Sequence, residues 1–457
     1  MSENPDKPPG VARDFAGLES RSMSGKPVLQ RDAKSIVTFN SKAFQEKGLC
    51  DGLTVNTGDA CVYSCSFCYV GSQMWKLVHS KVRNHNEKHG ENRAFEDFVI
   101  RRSNPMATLR KQVLGKDGDV KKRFRNPEDN RVVYSSTLVD VAANIELLKE
   151  TADWVNFLLD NTFWQVRLLT KSNLLHKLVA DDLVPDKTKP GSSWSHHQRL
   201  IFGFSTGTLD DGLAKAFEQG TALVSKRLRS LEWLQERGLR TFGMICPSLP
   251  QEDYDRFSED MVVALNPDKM EHVWAEVINV RGKSFERTAA ALRAAGFTRE
   301  AERLAAVSEG RNRKKNWEAY ARATFEAHVK TMPPGKLRFL QYVDKANADW
   351  WADRRNDGAV LLGADAVKKG LCLKEPSADR GYYQKPDSMA PRAATAGSTS
   401  EPQKVEMKVQ EVARSKTQEP EVQDHCSEIR FPSGMVVRFG ADATPEQIRA
   451  ILEQLSN

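Results

Sequence analysis

Three cysteines spaced C-x3-C-x2-C are the strongest chemical signal in this sequence. They are Cys61, Cys65 and Cys68, and an aromatic residue, Tyr69, follows the third. Iron–sulfur clusters are held by cysteine thiolates, usually by four of them. No fourth cysteine lies close to this triplet, the nearest in sequence being Cys50. A cubane bound here would therefore leave one iron open to an outside ligand, which favours a catalytic cluster over an electron carrier.

Two other interpretations of the triplet remain open, a structural zinc site and a buried trio of thiols. Structural zinc normally takes four ligands, usually supplied as two separated pairs. One compact triplet does not match that pattern, so the sequence favours a [4Fe–4S] cluster on Cys61, Cys65 and Cys68.

The composition places the chain among soluble globular proteins. It has 457 residues, of which 40% are hydrophobic and 28% charged, values that are ordinary for that class. It contains no apolar run long enough to span a bilayer. The polar N-terminus has no signal-peptide pattern and the seven cysteines are an odd number, so we expect a reducing, cytoplasmic location and no membrane association.

Strand and helix patterns must position the cysteines, and from residue 53 they alternate along the chain. Six apolar segments are predicted as strands, at 53–57, 132–135, 164–169, 200–204, 241–246 and 273–278. Alternating strands and helices imply parallel pairing with right-handed crossovers. Lys171 and Ser205 come directly after or at the end of predicted strands, where barrel enzymes place their chemistry. We therefore predict an α/β fold, a partial (β/α)6 barrel.

Composition shifts divide the rest of the chain into further segments. Residues 1–48 are predicted to be mostly disordered, 49–290 to form the barrel and 291–383 to form a helical extension. Residues 384–425 are a linker by composition. Residues 426–457 are predicted to form a hairpin followed by a helix.

A basic insertion at residues 76–131 interrupts the predicted barrel. It holds fifteen Lys and Arg residues against eight Asp and Glu residues. Its densest part, which we call the basic stretch, is Lys121-Lys122-Arg123-Phe124-Arg125. Cations can contact phosphates while an aromatic ring stacks on a base, so one hypothesis is a DNA or other nucleic-acid contact. The alternative is a solvated face of the barrel rim.

The cysteine stretch resembles the signature of the radical S-adenosylmethionine (SAM) superfamily. Within it, the chain is similar to the spore photoproduct lyase and DNA repair photolyase group over roughly residues 53–285. The further motifs that carry this likeness are Leu169-Thr-Lys171-Ser172, Phe204-Ser205-Thr206, Glu218 with Arg227, and Cys246-Pro247-Ser-Leu-Pro250. The resemblance implies a radical SAM barrel whose open iron chelates SAM, and whose reduced cluster cleaves it to a 5′-deoxyadenosyl radical.

Carried over residue by residue, the resemblance implies that Tyr69 packs beside the adenine of SAM. It also implies that Lys171 and Ser205 contact SAM, Lys171 as a cation for its carboxylate. The chain departs from the group where T-D-P-Y-Q-P-x-E is expected, since only Thr137 and Asp140 match. The cysteine that donates a hydrogen atom in true spore photoproduct lyase has no counterpart after the second strand. Cys246 is predicted to be a small apolar filler.

Three functional hypotheses follow. The first is a radical SAM lyase or repair enzyme acting on DNA, served by an external electron donor of the flavodoxin or ferredoxin type. The second is a radical SAM enzyme that modifies a protein, peptide or small molecule, with residues 426–457 recruiting a protein partner. The third is a non-enzymatic iron–sulfur or zinc protein that binds nucleic acid.

Overall fold

The structure, a computed structural model, describes residues 22–135, 137–278 and 283–373, and the backbone of two strands at 427–430 and 436–439. The strands before residue 374 are β1 (Ser22–Met23), β2 (Lys26–Arg31), β3 (Val37–Thr38), β4 (Leu53–Val55), β5 (Gly58–Ala60), β6 (Ser64–Cys65), β7 (Val99–Arg102), β8 (Val132–Ser135), β9 (Gln165–Thr170), β10 (Leu200–Thr206), β11 (Glu218–Gln219), β12 (Thr241–Ser248), β13 (Val273–Val277), β14 (Leu337–Tyr342) and β15 (Ala359–Leu362).

The α-helices between these strands include long ones that cover the large sheet and short ones of a single turn. They are α1 (Lys42–Gln45), α2 (Val70–His89), α3 (Pro105–Val113), α4 (Ile145–Asn161), α5 (Lys177–Ala180), α6 (Asp211–Phe217), α7 (Val224–Glu236), α8 (Tyr254–Leu265), α9 (Ser284–Ala294), α10 (Thr298–Ser308), α11 (Arg313–Thr331), α12 (Ala348–Ala352) and α13 (Ala364–Lys368).

A nine-stranded sheet organises the described chain, in the order β15-β14-β13-β12-β10-β9-β8-β4-β3. Every pairing is parallel except β3 with β4 at one edge. All six predicted strands lie in this sheet, and their order in space follows their order in the chain. The predicted α/β class is therefore confirmed. Closure into a partial barrel stays a prediction, because pairing is described only between neighbours in this open order.

The prediction of a helical extension at residues 291–383 is corrected by two strands. β14 and β15 add two parallel strands to the sheet beyond β13. The Ala-, Arg- and Glu-rich composition correctly indicates helices α9 to α11 but conceals β14, a six-residue strand with four buried positions. Short buried strands are easily hidden inside a helix-rich window.

The two faces of the large sheet are covered differently. One face packs against the helices, with Leu148, Leu158 and Leu231 among the buried residues there. The other, which we call the loop face, carries alternate residues of the same strands and packs against residues 44–50. Its buried members are Leu49, Cys50, Val132, Tyr134, Leu169, Ile201, Phe242, Met244, Trp274, Leu340, Val360 and Leu362. Because side chains alternate along a strand, this list fixes which strand-end residues share the loop face.

The prediction that residues 1–48 are mostly disordered is corrected for residues 22–48. There β1 and β2 join β7 and β5 in a second sheet, ordered β1-β2-β7-β5. Ion pairs from Arg31 and Arg102 to the fully buried Asp59 hold β2 and β7 against β5. The polar composition of this segment therefore reflects a small sheet stabilised by charge pairs. Residues 1–21 lie outside the described residues.

Two strands are described where the sequence predicts a C-terminal hairpin, in a second compact unit that spans Arg392–Asn457. Strands β16 (Ser427–Arg430) and β17 (Val436–Phe439) pair antiparallel, with Ile429 opposite Val437. The linker predicted at 384–425 and the helix predicted after Thr444 lie outside the described residues. Among the helices of the described part, none is both long and apolar enough to cross a membrane.

Candidate active site

The cysteine loop follows β5 rather than a strand of the large sheet. Sequence patterning predicts that the first barrel strand runs directly into the cysteines, but β4 ends at Val55 and β5 intervenes. Cys65 lies in the two-residue strand β6, which pairs antiparallel with β11 and sets Cys65 opposite Glu218. Tyr69 then precedes the twenty-residue helix α2. The loop is thus held between the second sheet, β11 and α2.

Hydrogen bonds to the chain around it fix the shape of the loop. The amide of Cys68 donates to the carbonyl of Cys65 at 3.1 Å, closing a turn between two of the cysteines. Ser66 Oγ donates to Thr288 Oγ1 at 3.0 Å, and Arg287 Nη2 donates to the carbonyl of Cys68 at 2.7 Å. Helix α9 therefore braces the loop, although it lies more than two hundred residues further along the chain.

The three cysteines are unpaired and half-buried. Burial raises the pKa of the Cys61 thiol to about 12, and the nearby carboxylate of Asp140 adds to the shift. Burial also raises the pKa of Cys65, with Glu218 as the next cause. Only thiolates bind metal, so binding at this loop must expel protons.

The cysteine loop offers three free thiols as candidate ligands. In the described residues, no group of three or more His, Cys, Asp or Glu side chains is arranged to hold one metal ion. In a [4Fe–4S] cluster each thiolate binds a different iron, so three sulfurs need not converge on one point. Three free thiols on one braced loop are compatible with such a cluster.

Lys171 and Ser205, predicted separately from two strand ends, lie together. Lys171 Nζ donates to Ser205 Oγ at 3.0 Å, to Glu218 Oε1 at 2.5 Å and to the carbonyl of Cys246 at 2.9 Å. An ammonium group has three N–H donors, and all three are used here. The expected role of Lys171 as a cation for the SAM carboxylate would thus require it to exchange one of these partners.

Glu218 is the centre of the charge network beside the loop. It is fully buried and also forms an ion pair with Arg227, Nη1 to Oε2 at 2.6 Å. Arg227 Nη1 in turn donates to the carbonyl of Ser205 at 2.8 Å. Two cations, Lys171 and Arg227, therefore converge on the carboxylate of Glu218, and a second carboxylate, that of Asp140, accepts from the amide of Lys171.

Asp140 is a site residue that sequence reasoning missed. Its carboxylate accepts hydrogen bonds from Thr170 Oγ1 at 2.7 Å and from the amide of Lys171 at 2.8 Å. Its own amide points at Cys61 Sγ, 3.4 Å away. Asp140 therefore ties the end of β9 to the first cysteine. Its position as one of two matches to the group's T-D-P-Y-Q-P-x-E motif was the available signal.

Cys246 agrees in part with its prediction as an apolar filler, because its side chain packs against the hydrophobic residues of the loop face. It alternates with Phe242 and Met244, so its side chain shares the loop face, but it is only partly buried. Its carbonyl accepts hydrogen bonds from Lys171 Nζ and, at 3.2 Å, from Ser205 Oγ. Cys246 therefore belongs to the same polar edge as the two predicted SAM contacts.

Tyr69 lies at the start of α2, immediately after the last cysteine. The residue is 36% exposed, and its hydroxyl donates to the carbonyl of Thr137 at 3.1 Å. Packing of Tyr69 against an adenine stays a prediction.

The basic stretch is built differently from its prediction. Phe124 is 2% exposed, with its ring centroid 6.1 Å from that of Phe39 and 5.3 Å from that of Trp164. It belongs to the core and is not available to stack on a base. The assignment of Phe124 to a nucleic-acid contact is therefore wrong: an aromatic residue amid cations was placed there by packing.

Backbone carbonyls occupy most cations of the basic stretch. Lys121 Nζ donates to the carbonyls of Lys111, at 2.5 Å, and Gln112, at 3.0 Å, at the end of α3. Arg123 Nη2 also contacts the Gln112 carbonyl, at 3.4 Å. Cations at the C-terminus of a helix satisfy its last carbonyls and oppose its dipole. These residues have a structural use, and a nucleic-acid contact at 76–131 remains untested.

Comparisons with known proteins were made for the whole chain. No protein-family model matches it, and no curated protein matches it. Solved structures of spore photoproduct lyase do match. A complex with dinucleoside spore photoproduct shares 11% identity, with a TM-score of 0.42, covering 71% of this chain and 87% of that chain.

Two further spore photoproduct lyase structures are similar at the same level. A double mutant with bound AdoMet and dinucleoside spore photoproduct shares 13% identity, with a TM-score of 0.41, covering 71% of this chain and 86% of that one. A single mutant with dinucleoside spore photoproduct shares 11%, with a TM-score of 0.40, covering 58% of this chain and 66% of that one. Likeness at this level concerns the course of the chain and does not assign chemistry.

Proposed function

We propose that this protein is a radical SAM enzyme. Cys61, Cys65 and Cys68 would hold a [4Fe–4S] cluster, whose open iron would bind SAM. The cluster and SAM together would supply a 5′-deoxyadenosyl radical, as the resemblance of the cysteine stretch implies. The rest of the chemistry falls to the chain, which must hold the thiolates, orient SAM and keep water away.

One observation carries this proposal: the link between the cysteine loop and the strand ends. The pairing of β6 with β11 sets Cys65 opposite Glu218, and Glu218 contacts Lys171 at 2.5 Å. Lys171 in turn contacts Ser205 at 3.0 Å. A thiol loop and the carboxyl ends of β9 and β10 therefore form one continuous site, which is where parallel α/β sheets bind ligands.

The chain's own residues would have distinct tasks in this site. Ser205 and Lys171 would donate hydrogen bonds to SAM, each after exchanging a present partner. Glu218 and Arg227 would fix Lys171 in place, and Tyr69 would pack beside the adenine. The proposed architecture around them is a partial (β/α)6 barrel.

For the substrate we propose a lyase-like or repair reaction on DNA, on the strength of the motif resemblance. The alternative is modification of a protein, peptide or small molecule, and one observation favours it. In the basic stretch, predicted to contact nucleic acid, Lys121 donates to backbone carbonyls and Phe124 is buried. In either case an external flavodoxin- or ferredoxin-type donor would supply the electron, and residues 426–457 could recruit a protein partner.

The test is SAM cleavage by anaerobically reconstituted protein. With reductant, we expect 5′-deoxyadenosine to form from SAM and to be detected by chromatography. Absence of this product from protein that has its full iron and sulfide content would reject the enzymatic proposal. Single-stranded and duplex DNA are then added in parallel: faster cleavage supports the DNA hypothesis, and an unchanged rate supports the alternative.

A further inference from the structure

A second group of polar side chains lies on the loop face beyond the site described above. Cys246, Glu276 and Tyr342 come near the carboxyl ends of β12, β13 and β14, which are neighbouring strands. Their positions alternate with the buried Met244, Trp274 and Leu340 of the loop face, so all three side chains share that face.

Lys47 completes this group from the segment that covers the loop face. The carbonyl of Lys47 accepts a hydrogen bond from Trp274 Nε1 at 2.9 Å. Its Nζ lies 3.4 Å from Glu276 Oε2 and 5.7 Å from the ring centroid of Tyr342. Cys246 Sγ lies 4.0 Å from the same carboxylate oxygen. A cation and an anion therefore stand side by side at the carboxyl edge of the sheet.

Lys47 has fewer hydrogen-bond partners than Lys171 among the described residues. The side chains of Lys47 and Lys171 are both 14% exposed. Lys171 uses three hydrogen-bond partners. Within the described residues, Lys47 Nζ has one ion-pair or hydrogen-bond partner, Glu276, at the long distance of 3.4 Å. An ammonium group has three N–H donors, so Lys47 keeps donors that can engage water or a ligand.

The Lys47–Glu276 pair also lies close to Lys171 and Ser205, the proposed SAM contacts. Cys246 joins the two, since its carbonyl faces Lys171 and Ser205 while its thiol faces Glu276. Adjacent strands lie about 4.8 Å apart, and β13, which carries Glu276, is the neighbour of β12. Glu276 is 15% exposed on its side chain, so a small group can reach it from the edge.

We propose that Lys47 and Glu276 are a substrate-recognition pair for a cis-amide edge, the adjoining C=O and N–H of a lactam or imide ring. Lys47 donates to the carbonyl oxygen and Glu276 accepts from the ring N–H. Because Lys47 Nζ and Glu276 Oε2 lie 3.4 Å apart, a ligand that engages both must present its acceptor and its donor next to each other on one edge. A trans peptide bond points C=O and N–H in opposite directions and cannot engage both. This inference deepens the proposed function and rests on it for the reaction that follows binding.

Binding is measured on the full chain by calorimetry, without SAM, using three cyclic probes and one linear amide, N-methylacetamide. Uridine presents a cis-amide edge in a nucleobase, cyclo-glycylglycine presents one in a cyclic dipeptide, and N3-methyluridine has its ring N–H blocked. We expect uridine, cyclo-glycylglycine or both to bind, and the one that binds identifies the source of the edge. If uridine binds, N3-methyluridine should bind at least about tenfold more weakly, as expected for loss of a hydrogen bond to a charged group.

Substitutions at Lys47 and Glu276 test the same inference independently of the choice of probe. Glu276→Gln and Lys47→Met should each weaken the bound probe about tenfold or more. Glu236→Gln, at a side chain 58% exposed on α7, should leave binding unchanged. Equal binding of uridine and its methylated form, no binding of either cis-amide, or tight binding of the linear amide N-methylacetamide would overturn the inference. Because this assay needs no SAM cleavage, its failure is distinguishable from failure of the proposed enzyme activity.

Discussion

The cysteine loop and the basic stretch are both short, residue-dense signals, yet the fold treats them in opposite ways. In the loop, backbone atoms and neighbouring side chains form the bracing contacts, which leaves three thiols unpaired and half-buried. In the basic stretch, Lys121 and Arg123 are themselves the braces, since they satisfy carbonyls at the end of α3. Phe124 is part of the core.

This difference shows which kind of pattern predicts function. Exact spacing of thiols is needed for a shared ligand and has no equivalent purpose in packing. A run of cations, in contrast, is compatible with helix capping, cation–π contacts or solvation as easily as with phosphate binding. Arg123 illustrates this, because its guanidinium lies 4.5 Å from the centroid of the Phe124 ring.

The largest expected effect is on the loop. Cys65→Ala should abolish iron and sulfide binding after anaerobic reconstitution, because two thiolates cannot hold the cubane. Cys372→Ala is the matched control, a partly buried free cysteine outside the loop, and should keep full iron content. Retention of iron and sulfide by the Cys65 variant would show that Cys65 does not bind the cluster.

The next effect concerns the basic stretch. Phe124→Ala should lower the free energy of unfolding by about 3–5 kcal/mol, because it leaves a cavity beside Phe39 and Trp164. Lys122→Ala, at an exposed neighbour, should change it by no more than about 0.5 kcal/mol. Chemical denaturation measures both. A stable Phe124 variant with weaker single-strand DNA binding would reverse the contrast between the two regions.

Lys171→Ala tests whether the lysine beside the cysteine loop contacts SAM. It should weaken SAM binding by about 1.5–3 kcal/mol, the value of a charge-assisted hydrogen bond, while iron content stays normal. Lys368→Ala, at a side chain 73% exposed, serves as the control. If calorimetry finds the same SAM affinity in both variants, Lys171 acts only as the partner of Glu218.

The smallest effect is expected from neutralising Lys121, Lys122, Arg123 and Arg125 together. Four phosphate contacts would change the log–log salt slope of nucleic-acid binding by about 0.7–0.9 each. Because carbonyls engage most of these cations, we expect the slope to change by less than the value for one phosphate contact, about 0.7–0.9. We also expect a loss of about 1 kcal/mol in stability from the hydrogen bonds of Lys121. A slope change near the full value would restore the phosphate contact.

Local pattern was enough to predict the six central strands and the grouping of Lys171 with Ser205 at strand ends. It was not enough for contacts made between distant segments. β14 lay hidden in a helix-rich composition, and β2 needed the buried Asp59 and β7 to become a strand. Asp140 and Lys47 acquire their roles only when the fold brings them to Cys61 and Glu276. A single sequence contains no local period or spacing that encodes such pairs.

The central claim is that the cysteine loop holds a cluster with one iron open to SAM. The most direct measurement is electron paramagnetic resonance of anaerobically reconstituted, dithionite-reduced protein, before and after addition of SAM. A [4Fe–4S] spectrum that changes when SAM is added would agree with the account. A spectrum that SAM leaves unchanged, or loaded protein that holds zinc in place of iron and sulfide, would contradict it.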